Sequence, residues 1–343
     1  MAGVREIGVM AKTFKDVLTT LATDEVLHTS LLYHLSKMDR QMLDAFREMW
    51  PTIAIQRRRD IMQELMELSE VNFEVDFGPV FMLALGDEDA EVRETAIQGL
   101  WENESPTLIT PFLHILRTDE AVNVRAAAAT ALSKYIYLRE IEELDPTYVA
   151  PIEQALLEII RTPTEDIEVR RRAVEAIAFS GEEGIPEIIE NAYYDDNVKM
   201  RVSAVFAMGR SADSRWLPRV LAELDSPINE IRYEAARACG ELEARKAVPR
   251  LVELARQDPD IEIQEMAIWS LGKIGGDEAR DALISLADSE NEAVAFAAED
   301  ALDELNLFSG VLDMFSYDPD NPDDDEFFDY LLDDDDGLNG RDF

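Results

Sequence analysis

The chain of 343 residues holds one cysteine, Cys239, and three histidines, His28, His34 and His114. A lone thiol excludes an intramolecular disulfide and any multi-thiolate metal site. His28 and His34 are six apart, off a shared helix face, and no His-Glu pair recurs, so a histidine-based catalytic or metal centre has few candidates. No apolar run approaches the roughly 18 residues of a membrane span, and the N-terminus, Met1-Ala-Gly-Val-Arg-Glu, lacks the charged-then-apolar pattern of a secretory signal. A glycine-rich phosphate loop and a Cys-x-x-Cys motif are both missing. Positive charge is scarce: 32 Lys and Arg stand against 73 Asp and Glu, a formal net charge of −41. A field of that sign repels nucleic-acid phosphates and anionic lipid, and it favours basic protein partners or simply keeps the chain soluble. The expectation is a cytoplasmic, non-enzymatic protein with no cofactor or metal, and with a protein partner rather than nucleic acid or membrane.

What is abundant is a repeat. Val92, Val124, Val169, Met200, Ile231, Ile263 and Val294 form one column at intervals of 31 or 32 residues, apart from one interval of 45. Four places on, every residue is alanine: Ala96, Ala128, Ala173, Ala204, Ala235, Ala267 and Ala298. Eight places on, the residues are Leu100, Leu132, Ile177, Met208, Cys239, Leu271 and Leu302, all apolar. Offsets of four and eight share one helix stripe, and a small residue at the fourth position admits a neighbouring helix. Cys239 falls in this apolar column, which marks it as an inert core thiol. Five places before the column stand Asp87, Asp119, Thr164, Asp195, Ser226, Asp258 and Ser289, each suited to cap a helix N-terminus. The residue after each cap is acidic or proline, as a first helical turn favours. Upstream, Pro79, Pro111, Pro151, Pro186, Pro218 and Pro249 are expected in the first turn of another apolar helix. Each unit is thus two antiparallel helices, and stacked units share a continuous core.

Segments such as Asp258-Pro-Asp-Ile-Glu-Ile-Gln-Glu-Met-Ala-Ile-Trp-Ser-Leu-Gly and Ser226-Pro-Ile-Asn-Glu-Ile-Arg-Tyr-Glu-Ala-Ala-Arg-Ala-Cys-Gly resemble HEAT repeats. Within that family they are similar to the short, phycobilisome-lyase-like form. The resemblance covers roughly residues 76–306 and implies a right-handed α-solenoid (an α-α superhelix), all-α, with seven units. Proteins similar in architecture include scaffolds, chromophore-lyase subunits, DNA glycosylases and an iron hydroxylase. The hydroxylase looks like paired His-Glu motifs on symmetric repeats, which this chain lacks. A glycosylase groove for duplex DNA calls for a basic surface, which it lacks too. Arg93, Arg125, Arg170, Arg201 and Arg232 directly follow the column, and Gln264 and Ala295 end the run. By resemblance, these arginines form an inter-repeat ladder with the turn aspartates.

The ends depart from the pattern. Residues 1–24 read as an extension, with residues 1–9 ahead of a second methionine start at Met10. Residues 25–75 read as a worn helical cap containing Arg40–Met49 and a helix over 53–68. Its Arg57-Arg58-Arg59 triplet serves either the cap or a docking point. Residues 307–315 read as a closing amphipathic segment. From 316 to 343, twelve acids stand against Arg341, so this tail cannot fold alone. Within it, Phe327, Phe328, Tyr330, Leu331 and Leu332 form an acid-flanked apolar cluster suited to a basic, apolar groove, or to plain solubilising disorder. The extra residues in the 45-residue interval lengthen the helix over 121–137, its exit loop or the next turn.

Column offsets 2, 6 and 10 lie roughly opposite the packed stripe and are expected on the exposed face of the second helices. There stand Arg171, Glu175 and Phe179, then Val202, Phe206 and Arg210, then Tyr233, Arg237 and Glu241, then Glu265, Trp269 and Lys273. Interleaved cations and aromatics are a common make-up of binding hot spots. The expected partner-binding residues are Arg171, Phe179, Val202, Phe206, Arg210, Tyr233, Arg237, Trp269 and Lys273. Three function classes follow: a protein-interaction scaffold, a phycobilin-lyase-like assembly subunit, and an acidic chaperone or nucleic-acid mimic acting through the tail.

Overall fold

A computed structural model describes residues 13–315, with side chains to residue 307. Its eighteen α-helices, with no strand among the described residues, make an all-α solenoid of helical hairpins. Two compact units divide the chain at Ser211 and Ala212.

The first unit opens with α1 (Phe14–Thr23), α2 (Thr29–Leu32), α3 (Arg40–Met49) and α4 (Ile55–Val71). Four hairpins follow. They are α5 (Gly78–Ala84) with α6 (Ala90–Gly99), α7 (Ile109–Thr118) with α8 (Val122–Glu140), α9 (Pro146–Ile160) with α10 (Ile167–Ile177), and α11 (Ile185–Tyr193) with α12 (Val198–Arg210). The second unit holds α13 (Leu217–Glu223) with α14 (Asn229–Glu241), α15 (Val248–Gln257) with α16 (Ile261–Ile274), and α17 (Gly276–Ala287) with α18 (Glu292–Phe315).

All seven column residues are buried, and all seven alanines are fully buried. A methyl group is the largest side chain such a position takes without forcing neighbouring helices apart. Two glycines take the same logic further. A Cβ on Gly240 of α14 would lie 2.9 Å from the Trp269 ring and 3.0 Å from the Ser270 backbone of α16. A Cβ on Gly99 would collide with the Phe81 ring. Cys239 is buried, and burial pushes its thiol up to about 12. Leu302, at the last place of the +8 column, is only half-buried.

The helices start two residues later than the capping pattern predicts. Asp89 caps α6, Asp166 caps α10, Asn197 caps α12 and Asp260 caps α16, each accepting a backbone N–H. The expected caps instead shape the turn before them. Asp87, Asp119, Asp195 and Asp258 each accept the N–H two residues on, at 2.8–3.0 Å, and Ser289 does the same at 3.2 Å. An aspartate folded onto its own turn in this way keeps its other oxygen for a neighbour. Pro227 and Pro259 accordingly stand in the turn, ahead of the helix.

Arginines of the expected ladder use that second oxygen. Arg93 reaches both oxygens of Asp119 at 2.8 Å and donates to the Asp87 carbonyl at 2.9 Å. Arg232 pairs with Asp258 at 2.9 and 3.1 Å and donates to the Ser226 carbonyl at 2.8 Å. Each guanidinium therefore satisfies the turn carbonyls of its own repeat and the carboxylate of the next. Burial pushes the Asp119 carboxyl up, but Arg93 and the Ala121 N–H together hold it below the ordinary carboxylate range. Arg125 pairs with Glu165 at 2.7 Å, because Thr164 stands where the aspartate would be. Gln264 retains only the carbonyl bond, to Asp258 at 2.6 Å. Arg170 and Arg201 depart from the expectation: neither carries an ion pair among the described residues.

The ladder starts earlier than the sequence suggests. Arg58 of α4 pairs with Asp87 at 2.6 Å, and Trp50 Nε1 donates to the same carboxylate at 2.7 Å. Arg59 pairs with Asp89 at 2.9 and 2.6 Å, and Arg57 donates to the Asp24 and Glu25 carbonyls. The triplet thus ties α4 to the turn before α6 and to the residues that follow α1. Residues read as extension also contribute: α1 carries a Thr13–Asp16 capping box and buries Val17, Leu18 and Leu21. At the other end, residues 307–315 continue α18 instead of forming a separate segment.

The 45-residue interval lengthens two helices, α8 to 19 residues and α9 to 15. Because α9 starts at Pro146, Pro151 lies inside it and not in its first turn.

Candidate partner-binding site

Within each unit the second helices of neighbouring repeats pack side by side, so a second helix has a flanking helix as well as its hairpin partner. This geometry changes the status of the face expected to be exposed. Among the nine expected residues only Arg210 is exposed, and Arg171, Phe179, Val202, Phe206, Tyr233, Arg237, Trp269 and Lys273 are half-buried. Glu175, expected on the same face, is buried. The error lies in treating each helix as having one packed stripe, when offsets 6 and 10 fall in the seam against the next second helix.

In the first unit these residues form a seam across α10 and α12. The Arg210 guanidinium lies 5.4 Å from the Phe179 ring centroid and 5.5 Å from that of Phe206, between the two. Tyr137, at the extended end of α8, packs edge-on against Phe179 at 5.5 Å and is itself exposed. Cation and rings thus stabilise one another by about 0.5–1 kcal/mol per contact at a wet site. Below them, Glu175 accepts from Arg171 at 3.1 Å, from Arg172 at 2.7 Å and from Ser203 of α12. Arg171 also pairs with Glu168, and that guanidinium holds the Glu168 carboxyl below its ordinary range. Arg171 is therefore held as a strut.

In the second unit, Arg237 pairs with Glu241 at 3.1 Å and Glu234 at 3.6 Å along α14. Tyr233 is half-buried, and burial raises its phenol. Lys273 pairs with Glu304 and lies 5.5 Å from the Trp269 ring centroid. The acidic partners stand on the same helix for Arg237 and on the neighbouring α18 for Lys273. What remains for a visitor is the aromatic area and the carboxylates.

Two features escaped the sequence reading. Tyr137 joins the first seam only because α8 is long, and a pattern of repeats gives no reason to place it there. Lys134 donates to the carbonyls of Trp101 at 2.6 Å and Asn103 at 2.7 Å, closing the end of α6 beneath the exposed Trp101 ring. Burial lowers the Lys134 ammonium to about 8, opposed by Glu104.

The three histidines are exposed, and no group of three or more His, Cys, Asp or Glu side chains among the described residues is arranged to hold a metal ion. Also among them, no helix is long and apolar enough to cross a membrane. The tail cluster Phe327, Phe328, Tyr330, Leu331 and Leu332 lies outside the described residues.

Among solved structures, yeast importin-β (Kap95p) is 14% identical with a TM-score of 0.50, over 85% of this chain and 46% of that one. The E. coli protein YibA is 16% identical with a TM-score of 0.44, over 80% of this chain and 96% of its own. Human deoxyhypusine hydroxylase is 19% identical with a TM-score of 0.35, over 78% of this chain and 96% of its own. At these identities the likeness is one of fold alone. No sequence among curated proteins matches the chain. The family model of HEAT repeats matches residues 78–149, 185–256 and 217–303, together more than half of the chain. With the buried alanine column and the arginine rungs, these matches establish that the chain belongs to the HEAT repeat family.

Proposed function

We propose that this protein is a non-enzymatic scaffold that holds a protein partner on the second-helix seams. The observation that carries the reading is the Tyr137–Phe179–Arg210–Phe206 cluster, where large rings and a cation meet solvent at the one exposed position among the nine expected partner-binding residues. Aromatic and arginine anchors of this kind dominate protein interfaces, since they bury much area at a small entropic cost. Trp269 with Lys273 offers the same chemistry in the second unit. The net charge of −41 favours a partner with a basic surface and speeds its encounter. The tail cluster at Phe327, Phe328, Tyr330, Leu331 and Leu332 supplies a second contact for a basic, apolar groove.

The test is capture from native lysate by immobilised chain, followed by affinity measurement with the purified partner. Arg210→Glu, at an exposed position, is expected to weaken capture at least tenfold with an unchanged helical circular dichroism spectrum. Removing residues 316–343 is expected to weaken it less. Undiminished capture by both Arg210→Glu and the double change of Phe206 and Trp269 to Ser would remove the seam from the reading. Loss only on removal of the tail would favour an acidic mimic.

A further inference from the structure

The geometry points to a second docking site, a groove between α9 and α11 that takes a basic amphipathic helix of another protein. The groove has a volume of about 990 Å³ and lies wholly within the first unit. Leu157, Val174, Ile177, Ile185 and Ile188 give it an apolar floor. Glu183 and Glu187 stand on its rim, exposed and without an ion pair among the described residues. Glu158, also on the rim, accepts from Gln154 at 3.0 Å and is 3.7 Å from Arg117.

Three observations separate this groove from an ordinary crease between repeats. It is built largely from the one stretch between matched regions where the family match lapses, residues 150–184, and from the helix that follows. It coincides with an open rung. Arg170 and Asp195 have the residue types of Arg93 with Asp119, one residue closer in sequence, yet both line the groove unpaired with each other. Finally, the buried Arg170 Nε has no acceptor, and no bond to either of the other two nitrogens is present among the described residues. Arg125 also leaves Nε unbonded, but its other nitrogens are engaged. A buried N–H without an acceptor is costly, and the half-buried guanidinium leaves its two outer nitrogens to meet an incoming carbonyl.

Charge selects the occupant. The chain's own tail, with twelve acids against one arginine, meets carboxylates of its own sign. Nucleic acid meets the same repulsion. A helix with leucine-like side chains on one face and lysines or arginines beside them matches floor and rim together, and its C-terminal carbonyls suit Arg170. This surface lies away from the second-helix seams and stands or falls separately from them.

The test uses the full chain and a fluorescein-labelled synthetic Leu/Lys peptide of about 18 residues, five turns of amphipathic helix. Anisotropy is read in about 0.15 M salt, where long-range attraction is largely screened. One-to-one binding is expected, at least tenfold tighter than for a scrambled peptide of the same composition. Changing Glu183 and Glu187 to Gln is expected to weaken it at least fivefold, against under twofold for Glu278 and Glu299 to Gln, an equal change in net charge. Ala150→Trp, at an exposed lining position of α9, is expected to block it with charge untouched. Hydrogen exchange is expected to slow at residues 150–161 and 183–192 on peptide addition. Equal weakening by both charge pairs, equal binding of the scrambled peptide, protection elsewhere, or no binding below about 100 μM would each overturn the groove.

Discussion

Arg232 and Arg170 both stand directly after the column, and each is followed by a turn aspartate, 26 residues on for Arg232 and 25 for Arg170, yet only one closes a rung. Arg232 spans two repeats through Asp258 and the Ser226 carbonyl, and both side chains are nearly inaccessible. Arg170 faces a groove beside Asp195 and pairs with nothing among the described residues. The contrast teaches that residue type provides for a rung, while the spacing and placement of helix and turn decide whether it forms. It also separates two uses of one residue. A closed rung satisfies the turn and ties repeats together, and an open rung leaves donors available to something else.

The sharpest break of that comparison is Arg232→Ala against Arg170→Ala. Loss of Arg232 strands the buried Asp258 carboxylate and is expected to cost about 3–5 kcal/mol. Loss of Arg170 strands no paired carboxylate and is expected to stay within about 1 kcal/mol. Urea unfolding of each variant measures both, and equal losses would show that the rungs are not what ties the repeats.

Next in size is close packing. Gly240→Ala places a methyl group against Trp269 and Ser270 and is expected to cost about 1–3 kcal/mol. Ala150→Gly, at an exposed groove position, is expected to cost only the helix propensity, about 1 kcal/mol.

Acid sharpens the comparison from another direction. Burial opposes ionisation of Asp119, but Arg93 and the turn N–H hold its folded carboxyl below the unfolded value. Its contribution is therefore fully present above the unfolded value, near pH 4, and is lost as pH falls through the folded one. Asp119→Asn is expected to destabilise by about 1–3 kcal/mol at pH 7, with the gap to wild type narrowing below about pH 4. Urea midpoints at pH 7 and pH 3 read that narrowing. No change in the gap would mean the carboxylate charge contributes nothing.

The smallest expected effect is at Cys239. Its thiol is raised to about 12, so it stays neutral and shielded in the native protein at pH 8. An aromatic disulfide reagent is expected to react only on unfolding. Because the folded value is raised, stability falls as pH climbs from about 8.5, the unfolded thiol value, towards 12. Rapid reaction of the native chain would contradict the packed α14–α16 interface.

Most of the core was legible before any coordinates. The alanine column marks close contacts between helices because no larger side chain fits, and that constraint shows in the letters alone. The caps were misplaced by two residues because aspartate both caps helices and folds onto turns, and only the bonds at Asp87 and Asp119 distinguish these uses. The candidate seam was misjudged more seriously. A periodicity argument assigns Glu175 and Trp269 to an outer face without knowing that a neighbouring second helix lies against it. Tyr137 lies in the lengthened end of α8, and the groove residue Glu183 in the stretch the family match omits, so neither carries a repeat signature.

The sequence by itself determined the hairpin unit, the buried spine and the acidic character of the surface, because each follows from local spacing and composition. Tertiary structure alone decided which arginines find a carboxylate, how much of each aromatic ring reaches water, and that a lengthened α9 borders a groove with α11. Those outcomes depend on distances between residues far apart in the chain, which helical periodicity does not encode.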